Sequence, residues 1–193
     1  MNRVAAIVFT LAITSSADEF TPCQALCNSQ TGAIGAQYAE AMNDLSWDGC
    51  INARDSGRLP TSLSRTGETV SGRIARGPRR ERLIVAGWDA ARAWGLTSIV
   101  DLRCADEVGV GEGDPHIPAA TLAGISIVNA PPENQDDPEF VKFCFPILDS
   151  PEYWTHNWRL QPHLVRSPLE AIAASQPGTL VHCSAGRDRT APA

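Results

Sequence analysis

Nothing in the sequence is apolar for long enough to cross a bilayer as a helix, which takes about 20 consecutive apolar residues. The nearest approach, residues 4–13, is too short, so no stable membrane insertion is expected. Positive charge is also in deficit, with a net charge of −6. That excludes a general nucleic-acid binder, whose affinity comes from neutralising phosphates. Lysine is nearly absent, Lys142 being the only one among many arginines. Cys23 and Cys27 have no second ligand pair at finger-like spacing, which argues against a zinc site. Internal repeats and low-complexity tracts are missing as well.

What is present fits one globular domain. The 193 residues and 43% hydrophobic content are enough to bury a core. Residues 1–17 have the order of an export signal: Arg3, an apolar run over 4–13, then Ser15, Ser16 and Ala17 as small residues for cleavage. The expectation is therefore an exported chain in preference to a cytoplasmic one, with a lead-in over 18–46 and the main domain over 47–193. In an oxidising compartment Cys23 has two candidate partners, Cys27 and Cys50; spacing does not choose between them.

Charge is unevenly distributed. Arg65, Arg73, Arg76, Arg79, Arg80 and Arg82 form a basic block, followed by acidic stretches over 101–114 and 133–139. The block reads either as a solvated loop or as a surface facing an anionic substrate.

Periodicity supplies the elements. A helix is expected over 37–45 and a short strand over 70–75. Residues 88–94 have helical spacing, with Gly95 placed to end the helix. Strands are expected over 98–102, 125–128 and 179–182, and helices over 138–143 and 168–174. Pro168 is assigned to the first turn of the last helix. Alternating strands and helices imply an α/β fold with a largely parallel central sheet. Such sheets bind ligands beyond the carboxyl ends of their strands. Asp101, Arg103 and Cys183 all arrive at that edge.

The most informative run is His182-Cys183-Ser184-Ala185-Gly186-Arg187-Asp188-Arg189-Thr190. Small residues after a strand let successive N–H groups converge into an anion-binding nest. Gly186 permits the backbone angles and close approach that such a nest needs. Arg189, six residues after the cysteine, can hold two phosphate oxygens with its planar fork. The same donors stabilise a thiolate, the nucleophilic form of cysteine. The bland alternative is a buried core cysteine; the spacing of Gly186 and Arg189 favours the nest.

Cys-x5-Arg after an apolar strand resembles the signature loop of cysteine-based phosphatases. The fuller His-Cys-x-x-Gly-[Lys/Arg]-Asp-Arg-Thr is similar to the bacterial tyrosine-phosphatase family that also acts on phosphoserine, phosphothreonine and some lipid phosphates. Asn52-Ala53-Arg54-Asp55-Ser56-Gly57, Gly72-Arg73-Ile74-Ala75-Arg76 and Val100-Asp101-Leu102-Arg103 resemble three further motifs of that family, in the same order. Ser56, Arg58, Gly77 and Arg187 depart from its usual residues. After Thr190 only Ala191, Pro192 and Ala193 remain, where the family continues with glycine and a long helical region. The resemblance therefore implies a cysteine-phosphatase-like fold lacking its C-terminal helices.

The resemblance further implies hydrolysis of phosphotyrosine through a phosphocysteine on Cys183, with dual or lipid specificity as an extension. The substrate would be a phosphoprotein or a phosphorylated small molecule. Phosphate would be held by Ser184, Ala185, Gly186, Arg187, Asp188 and Arg189. Thr190 would hydrogen-bond the sulfur. No metal or cofactor is implied, because arginine and backbone dipoles supply the charge. Asp101 and Asp188 are the candidate proton donors, Asp101 slightly favoured, with Asp136 and Asp137 as mobile substitutes. Asp101 reads equally as a structural carboxylate paired with Arg103 or Arg54. His182 reads as a structural residue beneath the loop, and Trp154 and Trp158 as core or as a substrate wall. A truncated relative that at most binds phosphate is the alternative, and a persulfide-handling protein ranks last.

Overall fold

The computed structural model describes residues 43–148 and 150–190. The expected export signal and most of the lead-in, with Cys23 and Cys27, lie outside the described residues. Within them, β1 (Asn43–Asp44), β2 (Arg54–Asp55), β3 (Ile74–Gly77), β4 (Ser98–Asp101), β5 (Ser126–Asn129) and β6 (Thr179–His182) form one sheet in the order β1-β2-β3-β6-β4-β5. The pairs β3–β6, β6–β4 and β4–β5 are parallel, while β1–β2 and β2–β3 are antiparallel. The chain is thus an α/β fold with a largely parallel sheet.

The central pair explains itself. β4 and β6 are short β-branched and apolar runs buried at every position, as a strand covered on both faces must be. Ile99 and Leu180 point to one face, where Leu83, Trp88 and Ala91 cover them. Val100 and Val181 point to the other, against Ala171 and Ile172. Cys183 continues the alternation of Val181 and joins this second cluster.

Four α-helices stand among the described residues: α1 (Val85–Trp94), α2 (Pro138–Phe143), α3 (Glu152–Leu160) and α4 (Pro162–Ala174). At the end of α1, Gly95 adopts φ +110° and its N–H returns to Ala91 and Arg92 carbonyls, a left-handed cap that favours glycine. α2 has proline in its first turn, and Asp137 caps it by accepting from the Glu139 and Phe140 amides at 2.8 and 3.2 Å. Among the described residues no helix is long and apolar enough to cross a membrane.

Three elements differ from expectation. β3 starts at Ile74, because residues 71–73 turn; the Asp55 carboxylate fixes that turn by accepting the Gly72 amide at 2.8 Å, and Val70 is exposed. The last helix begins at Pro162, which fills the first-turn role assigned to Pro168. Pro168 lies inside it, at a cost of about 3 kcal/mol in an isolated helix. Val165, Pro168, Ala171 and Ile172, at helical spacing along the sheet-facing side, provide the burial that offsets this. The helix expected over 37–45 falls mostly outside the described residues, and its end at Asn43–Asp44 is a strand paired with β2.

Cys50, Cys104, Cys144 and Cys183 are free thiols; the pairing left open for Cys23 falls on a residue outside the described ones. Burial pushes the Cys50 thiol up to about 12, outweighing the nearby Arg82, and leaves it an inert core group.

Candidate active site

β6 ends at His182 between β3 and β4, so Cys183 emerges at the centre of the sheet's carboxyl edge. The chain then folds back over the sulfur. Cys183 is 2% exposed, and its Sγ accepts the Gly186 amide at 3.2 Å. The curl needs glycine at 186 on two counts. Its φ is +72°, and a Cβ there would sit 2.4 Å from the Gly77 carbonyl carbon and 2.5 Å from the Pro78 nitrogen. A further tie fixes the loop to the segment that follows β3, the Arg79 amide donating to the Ser184 carbonyl at 3.1 Å.

Arg189 closes the arrangement. Its Nη1 and Nη2 both donate to the Glu107 carboxylate, the Nη2–Oε1 distance being 2.7 Å. The Glu107 carboxylate also accepts from Ser184 Oγ at 3.1 Å and from the Cys104 amide at 2.9 Å. Glu107 therefore braces both ends of the loop. This end-on grip leaves the Nε–H and the remaining Nη protons of Arg189 for another acceptor. Burial would raise the Glu107 carboxyl, but the Arg189 hydrogen bonds, with those from Cys104 and Ser184, bring it down to about 2. Burial likewise pulls Arg189 down, and Glu107 with Glu133 more than reverses it, so the guanidinium stays charged.

A second network lies beneath. Asp101 is 1% exposed and Arg103 fully buried. Arg103 donates to Asp101 through Nε at 2.9 Å, through Nη2 at 2.7 Å and through its backbone amide at 3.1 Å. Arg80 adds a bond to Asp101 at 3.0 Å, and Arg103 reaches Glu81 at 2.8 Å. Burial would raise the Asp101 carboxyl, yet the Arg103 bonds and His182 hold it below the usual carboxylate range. Of the two guanidinium partners open to Asp101, the structure gives it Arg103, with Arg80 in addition. A carboxyl held this firmly in its ionised form is a poor proton donor. His182 is fully buried, with Nδ1 3.0 Å from the Cys183 carbonyl; burial lowers it and keeps it neutral despite Asp101 at 3.7 Å.

The remaining candidates separate clearly. Asp188 lies in the loop with its side chain 41% exposed, bonded by Arg187 at 2.8 Å. Its carbonyl accepts Trp154 Nε1 at 3.1 Å. Thr190 is fully buried, and its hydroxyl finds no hydrogen-bond partner among the described residues, so the contact to sulfur is not made. Asp137 is occupied as the cap of α2. In the basic block, Arg79 and Arg80 pair with Asp114 and Asp101 and are not simply solvated. Trp154, Trp158, Leu102, Val165 and Leu169 line a cavity of about 220 Å³ that reaches Arg189.

Sequence reasoning missed three site residues: Glu107, Glu133 and Tyr153. Glu107 had a usable signal, since it follows β4 closely and so leaves the sheet at the same edge as Cys183. Glu133 follows β5 in the same way. Tyr153 had none, because α3 itself was not foreseen.

A family profile described as the tyrosine phosphatase family matches residues 45–191. No curated protein matches the chain.

Proposed function

The chain belongs to the tyrosine phosphatase family, and from that premise we propose that it hydrolyses phosphomonoesters, phosphotyrosine first among them, through a phosphocysteine on Cys183. The observation that carries this reading is the loop itself: a buried sulfur accepting an amide of its own loop, with a braced guanidinium six residues on. A tetrahedral dianion fits the chemistry of that cradle, because every donor in it is either a main-chain N–H or a permanent cation.

In the first step the Cys183 thiolate attacks phosphorus. The P–S bond forms as the ester P–O bond breaks, and the leaving oxygen takes a proton. Arg189 and the loop amides stabilise the charge spread over the equatorial oxygens. We assign the proton to Asp188: its side chain is 41% exposed and its partner Arg187 is itself open to solvent, whereas Asp101 is buried and receives hydrogen bonds from Arg103 and Arg80. In the second step water attacks phosphorus and gives its proton to the Asp188 carboxylate. The P–S bond breaks and inorganic phosphate leaves.

Phosphate release from a phosphotyrosine peptide, a phosphoserine peptide and a phosphoinositide tests the substrate order. The peptide bearing phosphotyrosine is expected to turn over fastest. Faster release from the inositol lipid would move the reading to lipid phosphates, and release from none of them would reject it.

A further inference from the structure

Arg189 has a second carboxylate neighbour that the reaction above does not use. Glu133 Oε1 lies 3.7 Å from Arg189 Nη1, and its side chain is 1% exposed. Its oxygens are both engaged: Tyr153 Oη donates to Oε2, and Gln135 Nε2 donates to Oε1 at 2.6 Å. Tyr153 is held in turn, since Asn157 Nδ2 contacts its hydroxyl at 3.4 Å and the Pro132 carbonyl at 3.0 Å. The contact is therefore built into the packing of α3, and is not a chance approach of two flexible chains.

Charge counting shows why this carboxyl matters. Arg189 contributes one positive charge and Glu107, held down to about 2, one negative charge. With Glu133 neutral the trio is neutral; with Glu133 ionised it is net negative beside the place where a dianion must bind. We infer that Glu133 is a positioning residue for Arg189, and that its carboxyl takes up one proton when a tetrahedral dianion enters the cradle, so that oxyanion binding weakens as pH rises. This rests on the reading of the cradle given above.

Several groups face Glu133. From the loop after β4 come Cys104, whose Sγ donates to the Glu133 carbonyl at 3.6 Å, and Glu107. The signature loop contributes Asp188 and Arg189, α3 contributes Tyr153, and Cys144 sits at the end of α2. Burial raises the Glu133 carboxyl above its ordinary value; Gln135 and Arg189 oppose this, while Glu107 and Asp188 reinforce it. An arriving dianion acts in the same direction as Glu107 and Asp188. The sign follows: affinity is highest where Glu133 is already protonated and falls as pH climbs through its ionisation.

Isothermal calorimetry with tungstate, a tetrahedral dianion, provides the test between about pH 5 and pH 8. Wild type is expected to bind about tenfold more weakly at the upper end, a coupling of ordinary size. It should also take up a proton on binding, visible as a dependence of the heat on buffer. Glu133→Gln, neutral at every pH, should bind with no such slope and no buffer-dependent heat. Tyr153→Phe removes a donor to the ionised carboxylate and should move the transition to higher pH. A slope in Glu133→Gln equal to that of wild type overturns the inference, as does an unshifted transition in Tyr153→Phe should the glutamine variant not fold. The two readings fail separately. Tungstate linkage without ester turnover sinks the enzymatic reading alone, and turnover with flat tungstate binding sinks this one alone. No tungstate binding at any pH removes both.

Discussion

Replacing Cys183 by serine is expected to lower turnover of p-nitrophenyl phosphate by a factor on the order of 10⁴ or more, the scale on which loss of a covalent nucleophile is felt. The substitution exchanges sulfur for oxygen with little change in volume. Cys183 is almost fully buried within the second core cluster, so a conservative exchange is needed to keep that packing. The serine hydroxyl can still accept the Gly186 amide, and the Arg189 grip on Glu107 does not touch it. Tungstate affinity and melting temperature should therefore stay near those of wild type while turnover collapses. Loss of binding together with turnover would point to a damaged loop and remove the force of the result.

Arg189→Lys should cost on the order of 10² to 10³ in turnover, comparable to deleting one oxyanion-hole donor. Lysine retains the charge but not the fork. In the structure two guanidinium nitrogens are committed to Glu107, and the planar group still has protons for a phosphate oxygen. An ammonium close enough to hold Glu107 has no rigid second edge to offer. The loss is expected mainly in kcat, because the equatorial oxygens gain charge in the transition state. A variant with unchanged kcat would mean that Arg189 contributes charge alone. Its melting temperature should be checked in parallel, since Glu107 and the buried Glu133 lose a fixed partner.

The parts of this molecule visible in its sequence are those governed by local rules. Residues 98–102 and 179–182 read as strands because β-branched and apolar residues run together between turn signals, and the structure buries β4 and β6 completely. Gly95 marked a helix end because only a left-handed residue closes α1 there. The signature loop was legible for the same reason: its function depends on residues within eight positions of one another, whose spacing is fixed by a single turn of chain.

What escaped was tertiary. α3 carries charged and polar residues around Tyr153, Trp154 and Asn157, and its helical pattern is weak until α2 and the signature loop are placed against it. The role of Asp101 was undetermined for a similar reason. A carboxylate at a sheet edge serves as an acid or as an anchor according to which guanidinium reaches it, and Arg80 comes from 21 residues away. Glu107 and Glu133 lie 82 and 56 residues before Arg189, so no local spacing connects them. Pro168 was misplaced because proline is read as a helix start, and only burial against the sheet keeps it inside α4.

The central claim, that phosphate passes through sulfur, has a direct measurement. Wild-type protein mixed with p-nitrophenyl phosphate, quenched in acid during turnover and digested, is analysed by mass spectrometry. One phosphoryl group on the peptide containing Cys183, decaying at the rate of phosphate release, is the predicted result. Steady turnover with no phosphoryl group on that peptide at any quench time, or with the group on another residue, would contradict it.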